Sequence, residues 1–484
     1  MTNREQLRTI AIRAMHERGL EPDIPADAVA EAARVQAAPQ SSSEPTRDMT
    51  SLLWCSIDND DSRDLDQLSV AVPLDNGRVR ILVAVADVDV LVIKGSAMDR
   101  HAAANTTSVY TPAVIFPMLP ERMSTDLTSL ADQQTRVAIV VDYVVSTDGV
   151  VGDADVYGAR VKNWSKLAYN SVGAWLEGHG PLPPAAAGVR GMDEQLRIQD
   201  RVAQALGTER HRHGALEFAS DDLETVFEDG SLREVKAPLP NRAKALIENL
   251  MIGANGVVAR FLDTKGFPSL RRVVRSPERW DRIRGLATEY GETLPEAADS
   301  TALAKFLQHR KEAAPGEYPD LSRRVIKMIG RGEYVVDPPG EEPPGHFGLA
   351  VRDYSHSTAP NRRYPDLITQ RLLKATLATR LCPYAIDDLE RLAAHCTAQE
   401  DAANKVERQV RKSAVAMLVQ SYVGRTFDAF VTGASPKGTY ARVLNPPMEG
   451  MIVRGASGLD VGDCIRVQLV NVNVDRGYID LARV

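Results

Sequence analysis

The chain has 484 residues, 44% hydrophobic and 25% charged, the proportions of an ordinary globular protein with room for about three domains. A net charge of −7 argues against a nucleic-acid coat but leaves open a channel lined locally with arginine and lysine. The four cysteines (Cys55, Cys382, Cys396, Cys464) form no CxxC pair or zinc spacing, no hydrophobic leader is visible, and the longest apolar run, Val79–Ile93, is broken by Asp87 and Asp89, which together predict reduced thiols in a cytoplasmic protein that spans no membrane.

Leu7, Ile10, Ala11, Ala14 and Met15 recur at helical spacing within residues 3–18, and Gly19 supplies a stop. A second helix is expected over Ala26–Ala38 after Pro25. Residues 1–38 read as a small helical module, compatible with a helix-turn-helix, and 39–50, opening on PQSSSEPTRD, as a linker. Next comes Ser56–Leu68, SIDNDDSRDLDQL, with aspartates at 58, 60, 61, 64 and 66 between strand-like flanks. Carboxylates that close repel one another and are costly to bury unpaired, a conflict that a hard divalent cation resolves. The alternative is a solvated acidic turn. A calcium loop of the EF-hand kind fits poorly, because the sixth position from Asp58 is Arg63 and the twelfth is Ser69.

Arg78–Val92 alternates like a strand, and Gly95–Leu130 then runs without clear periodicity, a length of loop that is usually functional. Strands are expected at Arg136–Val145 and Asp155–Lys162, a loop at Gly178–Gly191, and a helix over Asn241–Lys265 that carries Glu248 and ends at Gly266. A proline-rich loop, Tyr334–Phe347, leads into DYSHSTAPNRRYPDLITQRLLKA, which turns helical near Pro365. Asp387–Val423 reads as one or two long helices with a basic run at Lys405–Lys412. From Gly424 the pattern changes to five short strands, Arg425–Thr432, Gly438–Leu444, Gly450–Arg454, Asp463–Asn473 and Gly477–Val484, which suggest a small closed barrel of the OB type.

SIDNDDSRDLDQL, the long segment through GSAMDRHAAANTTSVYTPAVIFPMLPERMSTDLTSL, SHSTAPNRRYPDLITQRLLKA and the five-strand tail occur in an order that resembles the ribonuclease II family, from about Leu52 to the C-terminus. The resemblance implies a mixed α+β RNB catalytic domain over 51–421 and an S1-type OB-fold β-barrel over 422–484. It also implies a magnesium-dependent 3′-to-5′ exoribonuclease that digests RNA from a free 3′ end, processively, to nucleoside 5′-monophosphates. One or two Mg2+ ions are expected, with Mn2+ able to substitute, in a monomer that needs no protein partner.

Matched position by position, Asp58, Asp64 and Asp66 take metal-holding places. The fourth place is Gln67, where the commonest family pattern has aspartate; its amide oxygen can ligate a metal but brings no charge. Asp66 and Arg362 correspond to the catalytic acid and arginine, with Arg363 beside them as a structural or backbone-binding charge. Asp366 is expected either to orient Arg362 or to favour the helix start. Tyr110 and Phe218 correspond to aromatics that stack on bases, with core packing as the alternative for each. Glu248 and Glu407 correspond to sugar contacts, or else are helix-surface glutamates. Two other readings stand beside this one: a DNA or oligonucleotide exonuclease, and a non-catalytic RNA-binding protein. Relatives commonly carry cold-shock OB domains ahead of the catalytic domain, whereas here about fifty residues of helix and linker precede the acids. The expectation is a more open channel mouth that lets digestion approach or enter duplex RNA.

Overall fold

A computed structural model describes residues 2–37, 46–218, 224–228, 230–236, 240–341, 344–435 and 438–484. Its centre is a seven-stranded sheet in the spatial order Thr46–Asp48, Val151–Lys162, Thr135–Val145, Val79–Ala86, Gln67–Pro73, Cys55–Asp58 and Ser165–Ala168. The inner pairings are antiparallel and both edge strands join parallel. The central strands, ILVAVA at 81–86 and VAIVV at 137–141, are buried without alternation, as expected of strands covered on both faces.

The expected helix forms over Arg242–Thr264, capped by the Asn241 side chain, which accepts from Ala243 N and Lys244 N. It presses on the sheet closely enough for the Tyr143 hydroxyl to donate to Leu250 O at 2.8 Å. A Cβ at Gly253 would stand 3.1 Å from that hydroxyl, so the missing side chain is what lets the two elements approach. By length and composition this helix would pass for a membrane span, but most of it is buried in the core.

The N-terminal helices, Asn3–Glu17 and Ala26–Arg34, do not form the module expected of residues 1–38. Leu7, Ile10, Ala11, Ala14 and Met15 belong to a cluster with Val406 and Val410 of the long helix Ile386–Val419 and with the barrel interior. Ala28 and Ala32 of the second helix join the sheet's cluster instead. Each helix thus satisfies its apolar face elsewhere, and a helix-turn-helix reading does not hold. The linker expected over 39–50 is corrected in one part: Thr46–Asp48 is an edge strand, with Thr46 opposite Gly158 and Asp48 opposite Arg160. Residues 38–45 lie outside the described residues.

Within Gly95–Leu130 a helix (Ala97–Asn105), two short paired strands (Val109–Tyr110 and Ile115–Phe116) and a π-helical turn (Arg122–Leu127) replace the expected loop. Three helices, Trp280–Glu289, Ser300–Ala313 and Tyr318–Ile329, pack around a cluster of their own. The expected barrel is present and closed, formed by Thr426–Ser435, Gly438–Val443, Met448–Arg454, Cys464–Asn473 and Tyr478–Arg483. Its interior is Ala429, Val431, Ala441, Val443, Ile452, Val467, Leu469 and Leu481, with Phe427 packed partly against it and Tyr440 exposed.

If the first helix is part of the core, Ile10→Ala should destabilise the chain by about 2–5 kcal/mol. The readout is the urea midpoint; a change below about 0.5 kcal/mol would show that the helix is only loosely seated.

Candidate active site

The acidic segment joins two paired strands, Cys55–Asp58 and Gln67–Pro73, so the sheet holds both of its ends. Buried Leu65 pins the middle: its N–H donates to Ser129 Oγ at 3.1 Å and its carbonyl accepts from Leu130 N at 2.9 Å. Asp58 Oδ1 accepts from Asn59 N and Ser62 Oγ at 2.7 and 3.0 Å. Asp60 turns outward to Asn170 Nδ2 at 3.0 Å, and Asp61 is exposed, both as solvated surface would be. Asp64 Oδ2 accepts from the Tyr110 hydroxyl at 3.3 Å.

Asp66 is buried, and both of its oxygens are engaged by one short stretch of chain. Oδ1 accepts from Asn361 N at 2.9 Å and Oδ2 from Arg362 Nε at 3.2 Å. That stretch is itself fixed. Asn255 Oδ1 accepts from Ser357 N and Oγ, Thr128 Oγ1 donates to Asn361 Oδ1, and Ser108 N donates to Arg362 O. Asp366 does not hold Arg362: its Oδ1 accepts from Ala359 N at 2.8 Å and from Arg363 Nη2 at 2.7 Å. Arg363 is therefore the structural charge and Arg362 the one turned to the acids.

Beside Arg362 lies a cavity of about 170 Å³. Tyr110 and Thr106–Ser108 form one wall; Cys396, Glu400, Asn404 and Glu407, on one face of the long helix, form the other. Tyr110 is 38% exposed, and its backbone N–H donates to Glu407 Oε1 at 2.9 Å. The structure thus brings together Asp58, Asp64, Asp66, Arg362, Tyr110 and Glu407, with Gln67 opening the strand that follows Asp66. It does not bring Phe218 or Glu248 to the cavity wall. Phe218 packs partly buried against the cluster of Trp280 and Phe306, because its apolar neighbours are there; the Glu248 side chain is 61% exposed, 3.8 Å from Arg210.

Burial raises the Asp66 carboxyl from 3.8 to about 7; the Arg362 charge and the Asn361 N–H oppose this, while Asp64 and Asp366 add to it. Asp64 is also raised, by burial first and by Asp58 in part. These donors are hard oxygens, three of them carboxylates that disfavour one another's charge, which is the chemistry a divalent cation relieves. Among the described residues no three acidic side chains converge on one point, Asp66 being turned to Arg362 and Asn361.

Several neighbours carried no sequence signal of their own. Tyr169 acts electrostatically with Asp58 and Arg362. The Tyr334 hydroxyl pairs with His356 Nδ1 at 2.8 Å at the far end of the cavity. Glu400 and Asn404 were reachable, because with Glu407 they keep helical spacing along one face.

Known proteins show the same plan. The RNB domain family matches residues 46–379, and the RNase II-type exonuclease C-terminal S1 domain matches 425–484. Ribonuclease R of Vibrio parahaemolyticus is 27% identical over 480 residues, covering 90% of this chain and 55% of the relative. The chain spans between 55% and 65% of the length of three such ribonuclease R relatives. The structure of Mycoplasma genitalium RNase R in complex with double-stranded RNA superposes with a TM-score of 0.87 at 22% identity, covering 99% of this chain and 83% of that one. Yeast Ssd1, a pseudonuclease, shares the fold at a TM-score of 0.72 and 17% identity, with 92% of this chain and 55% of that one covered.

A carboxyl raised as Asp66 is binds its proton more firmly in the folded chain than in the unfolded one. The stability it contributes is complete below pH 3.8 and is lost as pH rises through about 7. Asp66→Asn suffers no such loss, so in EDTA its melting temperature should gain on the parent's between about pH 4 and pH 7. A constant difference across that range would contradict the assignment.

Proposed function

This chain belongs to the RNB domain family, and on that premise we propose that it is a metal-dependent 3′-to-5′ exoribonuclease releasing nucleoside 5′-monophosphates processively. The observation that carries the reading is the pairing of Arg362 with buried Asp66 beside a cavity walled by Tyr110 and Glu407. A protein that only bound RNA would gain nothing from carboxylates at the phosphate, which weighs against a pseudonuclease despite the fold shared with Ssd1.

By their places in the motif, Asp58, Asp64 and Asp66, with the Gln67 amide oxygen, would hold the cation, magnesium in the first instance, with manganese able to replace it and one or two ions accommodated; binding would require the three carboxylates to converge, which they do not do in this structure. Held there, a cation would supply activation of the attacking water and positive charge at the leaving oxygen. The chain's own part is positioning and charge. Arg362 spends Nε on Asp66 and keeps its two amino groups for the scissile phosphate, in the planar fork that suits phosphate oxygens. Tyr110, fixed through its backbone by Glu407, offers a face on which any terminal base can stack. Arg363, locked to Asp366, adds positive charge to the same wall without moving. The RNase R structure with double-stranded RNA supports counting duplex ends among the substrates. We place the enzyme in the cytoplasm as a monomer.

The test is incubation with 5′-labelled RNA and DNA oligonucleotides in magnesium or EDTA. Mononucleotide release from RNA in magnesium alone is expected; equal digestion of DNA favours a general exonuclease, and binding without cleavage favours a pseudonuclease. Asp66→Asn should still retard RNA in a gel while its cleavage rate falls by at least about 100-fold. Near-parental cleavage would remove Asp66 from the chemistry.

Tyr110→Ala should leave longer limit fragments than the parent. A short RNA has few contacts left, and stacking worth about 1–3 kcal/mol per base becomes a large share of what holds it. An unchanged limit length would return Tyr110 to a packing role.

A further inference from the structure

The sheet strand Val79–Ala86 and the helix Tyr364–Leu377 lie behind the acids and the arginine, and one buried amide joins them. Gln370 is 2% exposed. Its Oε1 accepts from Val88 N at 2.9 Å and from Asp89 N at 3.0 Å, and its Nε2 donates to Ala86 O at 2.7 Å. A single side chain thus satisfies three backbone groups at the point where the chain leaves the strand. On its other side Ala86 donates its N–H to the carbonyl of Asp66 at 2.9 Å.

The helix that carries Gln370 begins directly after Arg362 and Arg363. The acid segment and the arginine segment are therefore tied both directly and through the main chain. The direct ties are Asn361 N to Asp66 Oδ1 at 2.9 Å and Arg362 Nε to Asp66 Oδ2 at 3.2 Å; the indirect one runs through Ala86 and Gln370. Charged neighbours strengthen the seam: Arg371 meets Asp89 and Asp99 at 2.8 Å each, and Lys374 meets Asp87 at 2.9 Å. Those ion pairs end on carboxylates, and the one main-chain bond beside them, Arg371 Nη2 to Val92 O at 2.7 Å, falls beyond the residues that touch Asp66. The Gln370 amide ends on the main chain, where a shift passes directly to Ala86 and from there to Asp66. At 3.2 Å the catalytic pair has little slack before its hydrogen bond fails.

We propose that Gln370 is a positioning residue that sets the separation between Asp66 and Arg362. The chemistry it serves is that of the proposed exoribonuclease, on which this inference rests. Gln370 is buried and lines no part of the cavity, so its loss is expected to act on the chemical step and to leave RNA binding alone.

The test is single-turnover cleavage of a 5′-labelled RNA at saturating magnesium, beside RNA affinity in EDTA and a melting curve. Gln370→Leu keeps much of the volume and removes all three hydrogen bonds. Its rate should fall about 100-fold, as expected when reacting groups are misplaced by a fraction of an ångström to an ångström. Its RNA affinity should stay within about twofold of the parent's. A folded Gln370→Leu chain that cleaves at the parent's rate overturns the proposal, and so does an equal loss in affinity and rate. Gln370→Glu supplies a second readout should the leucine variant fail to fold. Its carboxyl can donate to Ala86 O only when protonated, so the ratio of its rate to the parent's should climb as pH is lowered from about 8 to about 6. A flat or falling ratio counts against the proposal. A parent chain that releases no nucleotide refutes the exoribonuclease reading itself, whereas an active parent matched by its variants refutes the role of Gln370 alone.

Discussion

A carboxylate taken out of water has to be answered by charge or by hydrogen bonds, and Asp66 is answered by both at once. Its position follows from sheet pairing, since it precedes the strand Gln67–Pro73 and its carbonyl accepts from the end of the neighbouring strand. Its compensation comes from far along the chain, from Asn361 N and Arg362 Nε. Much of the molecule can be understood as the scaffolding of that meeting. Asn255 on the core helix, Thr128 after the π-helical turn and Ser108 beside the Tyr110 strand each hold a residue of the arginine segment. The arginine is thereby presented to the acid at a fixed height above the sheet, while its outer edge stays available to a ligand.

What the sequence made legible was what local pattern controls. The first helix, the core helix and the five barrel strands appear within a few residues of their expected bounds, because apolar period, an Asn241 cap and glycine stops are all written nearby. The acids, the arginine and Tyr110 were legible as a motif, and the structure unites them. Their pairing was not, since Asp66 and Arg362 stand 296 positions apart and nothing between them encodes the distance. Phe218 shows the opposite case. It resembled a stacking position with core packing as the alternative, and it packs partly buried against the cluster that holds Trp280 and Phe306. Thr46–Asp48 was misread for a related reason: a parallel edge strand needs no alternation of its own when its partner, Val151–Lys162, supplies the ladder.

The N-terminal helices illustrate how burial overrides apparent modularity. Read alone, they form a pair separated from the body by a polar stretch. In the fold, one of them closes the junction between the long helix, the barrel and the Glu224–Glu228/Ser231–Lys236 hairpin, with Arg4 N donating to Gly230 O and Arg13 to Asp475 O. The other covers the helix Ala97–Asn105 beside the sheet. Small residues permit both arrangements: Ala11 and Ala14 let the first helix sit close, and Ala28 and Ala32 do the same for the second.

The long helix Ile386–Val419 runs unbroken for 34 residues, roughly 50 Å at 1.5 Å per residue. One face of it walls the cavity as far as Glu407, and at Lys412 it abuts the barrel turn so closely that a Cβ on Gly477 would lie 2.7 Å from the Lys412 Cβ. Site and barrel are thus threaded on one screw. Adding a single residue between Glu407 and Lys412 would turn the barrel's seat by about 100° around the axis, away from the face that walls the cavity. Seven residues would bring it back to within about 20°, displaced by roughly 10 Å along the axis. Change in this stretch is therefore quantised: the phase between cavity and barrel can shift only in near-whole turns, and the helix serves as the protein's internal thread gauge.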